Sequence, residues 1–122
     1  MHPAHACYHA NESVETSIGF CEAVRSGDKL YISGTVGAGE MPAATKQAYD
    51  ALRRTLEANG LTFANVVKEN VYTTDIEAFK KAGDIRKSYY GANLPAATWV
   101  EIRRLFLPQF VGEIEVIAEY PR

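Results

Sequence analysis

The chain has 122 residues, 47% of them hydrophobic and 23% charged, with a net charge of −2 at pH 7 and a pI of about 5.9. That is the size and make-up of one globular domain, and it lacks the basic patch that a nucleic-acid partner requires. No apolar run reaches membrane length and no charged-then-apolar leader opens the chain, so a cytoplasmic protein with no membrane partner is expected.

Residues 1–18 read as a polar, flexible N-terminal segment, and residues 19–122 as the domain. The segment holds His2, His5 and His9 together with Cys7. These are metal-ligating types, but no rigid element fixes their geometry, so neither a metal nor a cofactor is expected. Cys7 and Cys21 form no CxxC pair and read as reduced thiols.

Gly19 to Arg25 is strand-like, and Ser26-Gly27-Asp28 is a turn signal. Lys29 to Ser33 alternates, with Leu30 and Ile32 on one side and Tyr31 and Ser33 on the other, which closes a hairpin. Gly34 ends that strand, and a Gly-rich loop follows to Glu40. Met41 to Asn59 is a helix: Pro42 suits its first turn, Ala48, Leu52 and Leu56 form an apolar stripe, and Asn59-Gly60 stops it. Asn65 to Thr73 is a valine-rich strand.

Thr74-Asp75-Ile76-Glu77 has capping-box spacing. It opens a second helix through Phe79, Ile85 and Tyr89 to about Gly91. After Pro95 a strand runs from Ala97 to Arg103, and a last strand from Glu113 to Tyr120 alternates cleanly. The order β-β-α-β-α-β-β predicts a two-layer α+β domain with both helices on one face of the sheet. The other face keeps Tyr31, Trp99 and Ile117, and such a face is usually buried against another copy of the chain.

No phosphate loop, dinucleotide fingerprint, metal-ligand pair on a helix or nucleophile elbow is present. The acidic residues Glu101, Glu113 and Glu115 remain. Glu113 and Glu115 share one strand face, where mutual repulsion can raise one pKa into the range of a general base. The same pattern also fits a solvated face neutralised by Lys68, Arg103 and Arg104. Trp99 shares its face with Ala97, Glu101 and Arg103, which places it at an interface or cleft wall.

Four segments carry a resemblance. Ile18-Gly19-Phe20 with Leu30-Tyr-Ile-Ser-Gly34, Asn65-Val-Val-Lys-Glu-Asn-Val-Tyr-Thr-Thr-Asp75, Pro95-Ala-Ala-Thr-Trp-Val-Glu101 and Glu113-Ile-Glu-Val-Ile-Ala118 stand in order over residues 19–118. Together they resemble the Rid (reactive intermediate deaminase, YjgF-like, endoribonuclease L-PSP-like) family. The resemblance implies a chorismate-mutase-like fold and a homotrimer around a central barrel, with a small-molecule cleft at each subunit interface. It also implies cofactor-free hydrolysis of 2-imino acids. Glu113 matches the glutamate that activates water, and Ser33-Gly34 match the turn that positions substrate. Cys21 stands where a tyrosine is common, and Trp99 where a small cleft residue is common. Ala97 stands where the family carries the arginine that pairs with the substrate carboxylate.

A bidentate guanidinium–carboxylate pair is among the strongest polar contacts available. Arg103 lies about 20 Å further along the strand and cannot replace it. Two functions follow: a Rid-like hydrolase of an imine, enamine or related substrate other than simple 2-imino acids, or a non-catalytic ligand-binding or regulatory trimer. Ribonuclease action is disfavoured by the acidic pI.

Overall fold

A computed structural model describes residues 6–122. The chain forms β1 (Ala6–Tyr8), α1 (Glu12–Ile18), β2 (Ala23–Ser26), β3 (Lys29–Ala38) and α2 (Met41–Ala58). A 3-10 turn (Phe63–Asn65) leads to β4 (Val66–Thr73), α3 (Ile76–Lys81), α4 (Gly83–Tyr90), β5 (Ala96–Glu101) and β6 (Phe110–Glu119). The strands make one sheet in the order β1-β2-β3-β6-β4-β5. Among the described residues only the β4–β5 pairing is parallel, and α3 and α4 make that crossover. Among the described residues no helix is long and apolar enough to cross a membrane.

The expected two-layer α+β architecture is what the chain adopts. The α2 stripe of Ala48, Leu52 and Leu56 is buried, with Tyr49 beside it. It packs in one core with Leu30 and Ile32 of β3, Val71 of β4, and Ile114, Val116 and Ala118 of β6. The approach is close at Gly37, where a Cβ would overlap the Ala44 backbone of α2. The second helix is broken into two at Ala82. Gly83 follows there, and glycine is the weakest ordinary residue at holding a helix together. The cap that opens α3 is Asp75, whose carboxylate accepts the Ala78 N–H at 3.0 Å, rather than Thr74.

The N-terminal segment differs from expectation. Residues 6–18 are ordered as β1 and α1, and β1 pairs with β2 at Cys7↔Val24. His2 and His5 lie outside the described residues. The two cysteines, read as free thiols, form a disulfide: their Cα atoms are 5.6 Å apart across a separation of 14 residues. The pairing of β1 on β2 brings the cysteines together, and spacing along the sequence gives no sign of it.

The inward face of β4 is set by an irregularity between Val66 and Lys68, which turns Glu69, Val71 and Thr73 toward the helices. Glu69 is fully buried. Its carboxylate accepts hydrogen bonds from the Tyr49 and Tyr90 hydroxyls, both at 2.7 Å, from Arg86 Nε at 2.9 Å and from Trp99 Nε1 at 3.1 Å. The placement of Trp99 on a cleft wall is therefore corrected. β5 pairs with β4 at Ala97↔Glu69 and Trp99↔Val71, so Trp99 faces the helix layer of its own chain. Its ring meets Phe79 edge-on at 5.2 Å, and the Arg86 guanidinium lies 4.9 Å from its centroid.

Candidate functional site

The central feature of the site is a bulge in β3. Ile32 pairs with Val116 and Thr35 with Ile114, so Ser33 and Gly34 together oppose the single residue Glu115. A bulge of two residues against one reverses which side chains point inward. Leu30 and Ile32 are buried before it, and Thr35 after it. The strand therefore continues to Ala38 instead of ending at Gly34.

Gly34 has a specific steric role. A Cβ there would overlap Cγ, Cδ and Oε1 of Glu113, so the absent side chain lets the Glu113 carboxylate lie across the bulge. Ser33 is fixed at both ends: its N–H donates to the Glu22 carbonyl at 2.8 Å and its hydroxyl to the Cys21 carbonyl at 2.7 Å. Cys21 thus holds Ser33 through its backbone, while its side chain is committed to the disulfide.

Ser33, Gly34 and Glu113 line a cavity of about 760 Å³. Its apolar walls are Val14 and Ile18 of α1, Phe20, Phe106 and Leu107 from the approach to β6, and Phe110 at its start. Phe106 is 69% exposed, so one wall is a solvent-facing apolar rim. The polar groups inside are Glu113, Glu22, Ser33 and Thr35, and Arg54 and Thr55 of α2 add to them.

The two carboxyls of the cavity are perturbed. Burial, then the neighbouring charges of Glu15 and Glu113, push Glu22 up to about 8. Burial, then the charge of Glu115, raises Glu113. Glu115 points to the same open face but is anchored by the Tyr72 hydroxyl at 2.7 Å and by Asn70 Nδ2 at 3.2 Å. Glu15 is held below the usual carboxylate range. Burial opposes that shift, but the Asn11 N–H, His9 and the Glu22 N–H outweigh it.

Other candidates lie elsewhere. Glu101 accepts the Ile76 N–H at 3.1 Å and caps α3. Ala97 is exposed on the edge strand β5 and lines no wall shared with Glu113 in its own chain. Arg103 lies past the end of β5, exposed. Sequence reasoning missed Glu22, Arg54 and the aromatic rim. Glu22 left a trace: a lone acid immediately before the buried Ala23. Arg54 left none, because Arg53-Arg54 reads as an ordinary solvated helix face, and Arg53 is in fact spent on the Tyr89 ring, 4.6 Å from its centroid.

Comparison with known proteins agrees with this fold. The family profile of endoribonuclease L-PSP matches residues 10–120. A RutC family protein of Pyrococcus horikoshii is 30% identical, over 81% of this chain and 85% of the relative. A 2-iminobutanoate/2-iminopropanoate deaminase of Rattus norvegicus is 33% identical, over 81% of this chain and 78% of the relative. Among solved structures, a member of the YjgF/YER057c/UK114 family from Mycobacterium tuberculosis superposes with a TM-score of 0.86 at 29% identity, covering 95% of this chain and 99% of the other. The chain belongs to this family, the Rid or endoribonuclease L-PSP family.

Proposed function

We propose that the protein is a cytoplasmic Rid-like homotrimer that hydrolyses an imine, an enamine or a related small substrate other than a simple 2-imino acid. The observation that carries this reading is the pair of carboxyls in one largely apolar cavity, Glu113 laid across Gly34 and Glu22 pushed up to about 8. Burial raises both, Glu22 to about 8, and two carboxyls of unequal acidity can divide acid and base roles. The charge of Glu113 is one cause of the rise at Glu22, after burial and the charge of Glu15.

Ionised Glu113 takes a proton from water as the oxygen attacks the imine carbon. The C=N electron pair moves to nitrogen, which takes that same proton back from Glu113, and a neutral carbinolamine forms. Glu22 donates its proton to that nitrogen, the C–N bond breaks and ammonia leaves, and the hydroxyl gives its proton back to the Glu22 carboxylate as the carbonyl forms. The sum is one imine and one water giving one carbonyl compound and one ammonia.

Ala97 supplies no donor for a carboxylate. Arg54 lines the cavity and makes no ion pair among the described residues, so it is the cation available for an anionic substrate group. The apolar walls favour a substrate with a hydrophobic body.

The test generates 2-iminopropionate with a dehydratase and follows ammonia release. The native protein is expected to work no faster than buffer. Ala97→Arg is expected to bring weak activity, from the exposed edge strand to the cleft of a neighbouring copy. A mass-spectrometric survey of molecules that co-purify with the protein then identifies the natural ligand, and its turnover should vanish in Glu113→Gln. Ligand binding without turnover would favour the non-catalytic reading. Fast native hydrolysis of 2-iminopropionate would refute the role given to Ala97.

A further inference from the structure

The cavity wall built from Tyr8, Val14, Ile18 and Phe20 is one excursion of the chain, and the Cys7–Cys21 disulfide closes it at the base. Apart from the disulfide and the packing of Tyr8 on the core, two sets of hydrogen bonds hold it. One is that of the three-residue strand β1. The other is that of the buried Glu15 carboxylate, whose Oε1 accepts the Glu22 N–H at 3.0 Å and His9 Nδ1 at 2.7 Å. Its Oε2 accepts the Ala10 and Asn11 N–H groups at 3.1 and 2.7 Å.

With Nδ1 committed to Glu15, the imidazole turns its other nitrogen to the disulfide: Nε2 lies 3.4 Å from Cys7 Sγ. A carboxylate, an imidazole and a sulfur in contact, each through a different atom of the ring, are the set of groups that activates a cysteine thiol. A disulfide that only braces the fold has no use for it. Cys7 is also exposed, on the outermost strand of the sheet, where a small thiol can reach it.

We propose that Cys7–Cys21 is a thiol–disulfide exchange site. In it Cys7 is the reacting sulfur, His9 its proton partner and Glu15 the residue that positions His9. The redox state of the site opens or closes the N-terminal wall of the cavity. The co-reactant is a low-molecular-weight thiol. Its thiolate attacks Cys7 Sγ, the Cys7–Cys21 bond breaks, and its electron pair goes to Cys21 Sγ, which takes up a proton. A second thiolate attacks the external sulfur of the mixed disulfide, and Cys7 leaves as a thiolate beside His9. In sum one protein disulfide and two small thiols become a protein dithiol and one small disulfide, so the protein is reduced and the thiol oxidised. In the reverse direction the Cys7 thiolate attacks the small disulfide, and Cys21 resolves the mixed species.

The consequence for the cavity rests on reading it as the ligand cleft, whereas the exchange chemistry does not. The full-length protein is equilibrated in buffers of reduced and oxidised glutathione, and its thiols are trapped by alkylation and counted by mass spectrometry. The disulfide is expected to be reduced by excess glutathione. Reoxidation by oxidised glutathione should slow roughly three- to tenfold in His9→Ala, which loses the imidazole beside the attacking sulfur. Glu15→Gln, with unchanged circular dichroism, should shift the pH profile of Cys7 alkylation in the same direction as His9→Ala. A disulfide that survives excess glutathione, or a His9→Ala protein that exchanges as fast as native, overturns the exchange site.

Anilinonaphthalene sulfonate, an apolar anionic probe, reports on the cavity. Its affinity should fall at least threefold when the protein is reduced and alkylated. Equal affinity in both states overturns the coupling to the wall. No binding to the oxidised protein counts against the cleft reading and leaves the exchange result to decide the rest.

Discussion

Replacing Glu69 by leucine removes the one acceptor shared by four donors. In the native chain this carboxylate is fully buried and takes hydrogen bonds from Tyr49, Tyr90, Arg86 and Trp99. Arg86 is 7% exposed and its ion pair with Glu69 is its only one among the described residues, so the substitution strands a buried cation. Breaking one side of a buried ion pair costs about 3–5 kcal/mol, because the remaining charge is neither solvated nor paired. A domain of this size has about 5–15 kcal/mol in total, so Glu69→Leu should lose a large share of its stability. Urea unfolding followed through Trp99 fluorescence measures the loss, since Trp99 itself sits in the network. The double variant Glu69→Leu with Arg86→Met should recover at least half, because it removes the stranded charge together with its partner. A loss below about 1 kcal/mol in the single variant, or no recovery in the double, would refute this account of the sheet–helix interface.

Glu22 makes stability depend on pH. Its folded pKa of about 8 lies above the ordinary 4.5, so the folded state holds the proton more tightly, and that contribution is present at low pH and lost as pH rises from 4.5 to 8. Glu22→Gln should flatten this fall and gain at least about 1 kcal/mol at pH 8, read by thermal unfolding across pH; an unchanged curve would contradict the burial of the acid. Gly34→Ala should leave the fold intact but displace the Glu113 carboxylate, lowering turnover of the co-purifying ligand roughly tenfold to a hundredfold, and native-like turnover would show that Glu113 does not act from this position. Tyr31 and Val100, 46% and 40% exposed on the open sheet face, should be covered in a homotrimer; light scattering that finds a stable monomer at micromolar concentration would count against it.

The periodic elements were legible because one physical rule governs each. The α2 stripe, the inward set of β6 and the bounds of β4 follow from apolar spacing, and the helices cover the face those residues define. Glu113 was legible for the same reason: it falls opposite the buried set on a strand that alternates without interruption from Glu113 to Glu119. The disulfide and the N-terminal wall were not. Three residues of β1 have no detectable period, and their order comes from pairing with a strand 15 or more residues away and from the four hydrogen bonds that converge on Glu15.

The misplaced residues share one cause. Alternation tells which side chains lie together, but the absolute side must come from a neighbouring strand, and here irregularities break the count between neighbours. Ala97, Trp99 and Glu101 do lie on one side, as their spacing requires, yet the step between Val66 and Lys68 turns Glu69 inward, and parallel pairing carries Trp99 with it. Trp99 gains from this what an open face would not give it, an acceptor for its indole N–H and an aromatic edge to pack on. The bulge at Ser33-Gly34 works in the opposite sense. It ends the apparent strand by pattern while the backbone continues, and it creates the gap into which Glu113 leans. The same local departure from regular pairing thus hid the length of β3 from the sequence and produced the carboxylate geometry on which the proposed chemistry depends.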